Sequence, residues 1–158
     1  MNDYVGWSAP CNNLADWRYE GVIYRKTDDP NNIEKESMYA PDVVRGPDGN
    51  YYMFYGHGSR KPPEEWQIHV AVCNKPTGRY QYYGTIDLSA WKERYFPFDP
   101  AVLVDDDQRV WLYYGFGSGD WRKGNKGCGG AVVELASDMK TVVPEPKATL
   151  PNKYSNTE

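Results

Sequence analysis

Two short stretches set a carboxylate beside a proline and an aromatic ring: Tyr39-Ala40-Pro41-Asp42 and Phe98-Asp99-Pro100. A carboxylate that is partly desolvated and coupled to its neighbours is the usual source of a shifted pKa for proton transfer. Asp42 is the first candidate for such acid–base work and Asp99 the second. The competing reading is that each Asp caps a turn or ties neighbouring structural units together. Other constellations are weaker. Asp105-Asp106-Asp107 lacks the ligand spacing of a calcium loop and reads as a hairpin turn. His57 and His69, the only histidines, share no metal spacing and have no adjacent nucleophile. Gly115–Gly119 lacks the lysine and the strand–loop–helix context of a phosphate loop. No metal and no cofactor is expected.

The elements that must position these residues are strands. Runs rich in Tyr, Trp and Val alternate with Gly, Pro, Asp and Asn clusters, and helical periodicity is nearly absent. Strands are expected at Tyr4–Ala9, Trp17–Tyr24, Asp42–Arg45, Tyr51–Gly56, Ile68–Asn74, Tyr80–Ile86, Ala101–Val104, Val110–Phe116, Ala131–Ala136 and Thr141–Lys147. Asp48-Gly49 is a tight hairpin signal. Helical turns are expected at Ile33–Met38 and Leu88–Arg94, and a loop over residues 121–130.

The strands recur in order. Fifty-nine residues separate Pro41 from Pro100, Asp48 from Asp107, Tyr52 from Trp111, Tyr55 from Tyr114 and Gly56 from Gly115. A second register, at 63 residues, links Ser8 to Ala71, Tyr19 to Tyr82, Gly21 to Gly84 and Ile23 to Ile86. Four-stranded units repeating at this distance are the signature of β-propeller blades. The expected fold is therefore all-β, a partial propeller in one domain spanning 1–158. Residues 41–87 and 99–147 form complete four-stranded antiparallel blades, and 1–24 the second half of another. The innermost strand of a propeller blade begins at the mouth of the central funnel, which places Asp42 and Asp99 there.

These stretches together resemble glycoside hydrolase family 43. Asn2–Pro10 is similar to the end of that family's first blade, and Trp17–Tyr24, after Asp16, to the strand that follows. Tyr39–Val43 with Pro47–Tyr52 resembles its second-blade signature, and Phe98–Pro100 with Asp105–Asp107 its third. The resemblance implies a five-bladed propeller, of which this sequence covers about two and a half blades. It also implies inverting hydrolysis of arabinose- or xylose-containing glycosides by three carboxylates. Inversion needs base and acid about 6.5–9.5 Å apart, with water between base and sugar. By resemblance Asp42 takes the place of the carboxylate that tunes the acid; Tyr39, Phe98 and Asp99 are candidates to line the sugar site, with packing between blades the competing role for each of the two rings. The base and the acid fall in blades outside these 158 residues, so the sequence is expected to be inactive by itself. The alternatives are a non-catalytic carbohydrate-binding or interaction module, and a structural fragment of a longer hydrolase.

Composition bounds the partners. The sequence has 158 residues, 14 Tyr, 6 Trp and only 4 Phe, and a formal charge of −4, which gives nucleic acid and acidic membranes a poor starting case. No stretch approaches the apolar length of a membrane span. Three cysteines without a CxxC pair suggest reduced thiols, not a disulfide framework. The N-terminus lacks the charged and apolar regions of a signal peptide, so the cytoplasm is weakly favoured and the compartment stays open. Open blade faces predict self-association.

Overall fold

The computed structural model describes residues 3–31, 37–58, 66–92, 95–116 and 129–149. Ten strands follow one another: β1 (Asp3–Ser8), β2 (Arg18–Arg25), β3 (Tyr39–Arg45), β4 (Tyr51–His57), β5 (Gln67–Cys73), β6 (Gln81–Ile86), β7 (Ala101–Val104), β8 (Val110–Phe116), β9 (Gly129–Leu135) and β10 (Lys147–Ala148). They form three antiparallel sheets: β1-β2, β3-β4-β5-β6 and β7-β8-β9-β10. Among the described residues, every strand pairs only with a neighbour in the chain.

The middle sheet is covered on both faces, so β4 is buried along nearly its whole length. Side chains alternate across a strand, and successive residues therefore enter different cores. Tyr52 and Phe54 of β4, with Ile68 and Val70 of β5, pack against Val110, Leu112, Ala131 and Val133 of the third sheet. Met53, Tyr55 and Ala71 face the other way, against Tyr4, Ile23 and Tyr24 of the first sheet. A backbone bond reinforces the stacking of the first two sheets, Tyr80 N donating to Ile23 O at 2.8 Å; within the third, Gly115 N donates to Phe98 O at 2.8 Å, as Gly56 pairs with Tyr39 in the second.

The repeat of 59 residues is a true register. Asp42 pairs with Phe54 and Val43 with Met53, just as Ala101 pairs with Tyr113 and Val102 with Leu112. Ala40 (φ 46°) and Asp99 (φ 45°), equivalent in this register, share the left-handed conformation that opens each four-stranded sheet. The second register holds for β2 and β6 but shifts by one for their partners. Trp7, not Ser8, pairs with Tyr19, as Ala71 pairs with Tyr82. Both sheets carry a bulge there, which leaves Glu20 and Tyr83 out of the pairing.

The last strand differs from expectation. Thr141–Lys147 shrinks to a single bridge from Val142 to Leu135 and to the two-residue β10. Pro144 and Pro146 fall inside the expected run, and neither can donate to a ladder. A short 3₁₀ turn at Lys26–Asp28, not foreseen, ends β2. Helical hydrogen bonds from Trp91 N to Leu88 O and from Tyr95 N to Trp91 O bear out the turn after Leu88. Most of the turn expected at Ile33–Met38 and of the loop over 121–130, and Cys128, lie outside the described residues. Gly129 and Gly130 belong to β9. Cys11 and Cys73 are free thiols.

Candidate functional site

The openings of β3 and β7 converge through their aromatic rings. Tyr39 and Phe98 are 5.9 Å apart between centroids. Trp66 completes a triangle with them, 5.5 Å from Tyr39 and 5.0 Å edge-on to Phe98, and Phe96 lies 6.0 Å from Trp66. The close approach depends on Gly56, which pairs with Tyr39; a Cβ there would meet the Phe98 ring at 3.3 Å. Trp66 was not singled out in the sequence, although an aromatic directly before a strand was a usable signal. Its indole Nε1 is buried without a hydrogen-bond partner.

The two candidate carboxylates have different surroundings. Asp42 is half-buried, and its Oδ2 accepts a 2.6 Å hydrogen bond from the backbone N–H of Val102. This bond ties the innermost strand of one sheet to that of the next, the architectural role weighed above for such an aspartate. Asp99 is exposed and accepts no hydrogen bond among the described residues. Desolvation by the surrounding protein raises its pKa above the ordinary carboxylate value. The 59-residue register explains the contrast: Asp99 stands one residue before its proline, at the left-handed position, whereas Asp42 stands one residue after its proline, within the ladder.

A left-handed φ at a residue without Gly's freedom is costly and clusters at functional sites. Here Ala40, which has no chemistry to offer, carries the same φ as Asp99. The strained turn therefore belongs to the architecture of the sheet opening. Asp99 places a carboxylate on it.

A second polar cluster lies between the first and second sheets. Tyr55, His57 and His69 occupy the face of β4 and β5 that looks toward β2, because each is two residues from Met53 or Ala71 or from one another. Asp29, just past the 3₁₀ turn, enters their midst. Asp29, His57 and His69 are each at most 2% exposed. Asp29 Oδ2 accepts from the Tyr55 hydroxyl at 2.7 Å and stands 3.5 Å from Nδ1 of both His57 and His69. Asp29 Oδ1 accepts from Asn31 N at 2.7 Å and from Asn31 Nδ2 at 3.2 Å.

Burial alone would raise the Asp29 carboxyl. The His57 imidazole beside it, the charge on protonated His69, and donors on Tyr55 and Asn31 outweigh it and hold the pKa at about 2. Burial also pushes His69 down to about 4, against the pull of Asp29. Tyr55 is raised, by burial first and the Asp29 carboxylate second. The sequence concealed this cluster because its members come from two adjacent strands and a distant loop, with no shared local spacing.

Comparison with known proteins agrees with this architecture. The profile of glycosyl hydrolases family 43 matches residues 8–158. A xylosidase/arabinosidase of Thermoclostridium stercorarium is 46% identical over 161 aligned positions, which cover 97% of this chain and 32% of that protein. Xylosidase/arabinosidase 43A of Humicola insolens is 35% identical over 95 residues, covering 60% of this chain and 26% of its own length. Among solved structures, a family 43 enzyme from Xanthomonas citri complexed with xylotriose superposes with a TM-score of 0.72 at 23% identity. That match covers 94% of this chain and 46% of the enzyme. The chain thus spans about a third of the first relative's length and under half of the solved enzyme's. It belongs to glycosyl hydrolase family 43, and its stacked four-stranded sheets are part of that family's five-bladed β-propeller.

Proposed function

We propose that these residues form one wall of the sugar-binding funnel of an inverting hydrolase for xylose- or arabinose-containing glycosides. The observation that carries this reading is the half-buried pair of rings Tyr39 and Phe98, backed by the buried Trp66, with Asp99 directly after Phe98, in a chain 46% identical to a xylosidase/arabinosidase. Aromatic faces pack on the apolar face of a sugar ring, and a carboxylate beside them accepts from its hydroxyls or tunes a neighbouring acid. The solution of the Xanthomonas citri enzyme with xylotriose supports a xylo-oligosaccharide as the ligand class.

The resemblance gives the tuning role to Asp42. The hydrogen bond to Val102 favours a different division of labour, in which Asp42 holds two blades together and Asp99 faces the sugar. General acid–base help is worth about 10²–10⁴-fold per participant. With base and acid supplied by other blades, these 158 residues by themselves bind sugar without turning it over. Calorimetry with xylotriose and an arabino-oligosaccharide, run beside an assay on aryl xylosides and arabinofuranosides, tests the reading. Binding that weakens on Phe98→Ala, without turnover, supports it. No heat at millimolar sugar removes the sugar wall. Steady turnover by these 158 residues removes the dependence on further carboxylates.

Self-association belongs to the same proposal. Val5, Trp7 (55% exposed) and Tyr19 (51% exposed) lie open on the first sheet, and Leu103 and Tyr113 on the third. Apolar sheet faces of this kind associate. Light scattering that finds only monomers at high concentration contradicts it.

A further inference from the structure

The Asp29–His57–His69 cluster lies between two blades and has no part in the sugar site described above. We propose that it is a binding site for a divalent transition metal of the zinc class, with Asp29 Oδ2 and one imidazole nitrogen each of His57 and His69 as ligands. Three observations carry this. The chain's only two histidines, on adjacent strands, meet at one carboxylate delivered by the preceding sheet. The three donors lie within 4.8 Å of one another, and their side chains are at most 3% exposed.

The spacing is the third. Both imidazole Nδ1 atoms are 3.5 Å from the same oxygen. That is longer than a normal N–H···O hydrogen bond of about 2.7–3.2 Å. Zinc bonds of about 2.0–2.1 Å in a tetrahedron set ligand atoms about 3.3 Å apart, so the cluster nearly has ligand spacing already.

The surroundings suit such a site. Two imidazoles and a carboxylate are a zinc-type donor set. Asn31 holds the other oxygen of Asp29 through two hydrogen bonds, and Tyr55 donates to Oδ2 itself, the outer support that fixes a ligating carboxylate. Metal at His69 Nδ1 displaces the hydrogen bond that this nitrogen shares with Thr85 Oγ1 at 3.2 Å, and Thr85 keeps its bond to the Tyr82 hydroxyl. A buried water takes the fourth position. The site is closed to solvent and reads as structural, a staple between the β2–β3 connection and the β4-β5 pair.

The test uses the full chain, purified without a histidine tag and stripped with chelator. Cobalt(II), the spectroscopic stand-in for zinc, is titrated in, and visible absorption of tetrahedral intensity is read together with elemental analysis and the melting temperature. Expected are one equivalent bound, displacement of the cobalt band by zinc, and a rise of roughly 10 °C at free zinc about 1,000-fold above Kd. His69→Gln and His57→Gln each abolish the band. The proposal is overturned if the wild-type chain takes up no stoichiometric metal and melts unchanged with zinc or chelator, because the cluster is then a hydrogen-bonded hub. It is equally overturned if uptake survives both substitutions. The wild-type titration stands even if a variant fails to fold.

Discussion

Substituting Asp42 and Asp99 separately divides architecture from sugar contact. Asp42→Ala removes the acceptor 2.6 Å from Val102 N and leaves that N–H facing a half-buried gap between β3 and β7. A hydrogen bond to a charged group is worth about 1.5–3 kcal/mol. For a chain of this size each kcal/mol shifts the melting temperature by about 2–4 °C, so a drop of about 3–12 °C is expected. Asp42→Asn keeps a neutral oxygen and loses about half as much. Asp99→Asn removes no hydrogen bond among the described residues. The desolvation that raises its pKa favours a neutral group there, so its stability stays within about 0.5 kcal/mol of the parent. Calorimetric melts of the three variants beside the parent read the difference, with xylotriose titration as the second measurement. Sugar binding should follow the opposite order, weakened most by Asp99→Asn. If Asp42→Ala melts within about 1 °C of the parent, or if Asp99→Asn falls equally far, the division of roles derived from the register is wrong.

Other outcomes follow from the same geometry. Ala40→Gly relieves a left-handed cost of about 1–2 kcal/mol and gives back about 0.4–1 in unfolded-state entropy, so urea melts should show a net gain near 0.5–1 kcal/mol. Gly115→Ala drives a Cβ into the Gly129 carbonyl oxygen between paired strands, and a loss of about 3 kcal/mol or more should appear in the same melts. In metal-free protein His69 stays neutral down to about pH 4, whereas the unfolded chain takes its proton near pH 6.5. Stability should therefore fall by about 3 kcal/mol as pH drops from 6.5 to 4, with Asp29 adding a further loss between about 3.8 and 2. Asp29 and His57 face His69 directly, and His69→Gln should flatten the upper part of this slope.

Strand identity and pairing were legible because the two sheets repeat. A shared offset of 59 residues marked β3 and β4 as equivalent to β7 and β8, and the two ladders do pair in step. The connection from β1 to β2 is one residue longer than that from β5 to β6, which moves the second register by one between β1 and β5, while the bulges at Glu20 and Tyr83 are equivalent and leave it unchanged. Tyr39 and Phe98 were recognisable as partners because they occupy equivalent positions. Trp66 was not, having no equivalent in the repeat. Asp29 was invisible for a different reason. Its importance arises from burial between sheets, and burial between sheets is a property of stacking that a single strand's pattern does not contain.

The order of pairing has a consequence for how the chain folds. Every ladder closes between consecutive strands; Arg45 meets Tyr51 and Val104 meets Val110 across short turns. Loop-closure entropy is small for such contacts, and local contacts form fast. Each sheet can complete its pairing during synthesis, as soon as its last strand has left the ribosome. What must wait is docking, when Ile23 accepts from Tyr80 and Asp42 from Val102 across sequence gaps of roughly sixty residues. Assembly is therefore a succession of sheet-on-sheet dockings, and the side chains between sheets set its speed.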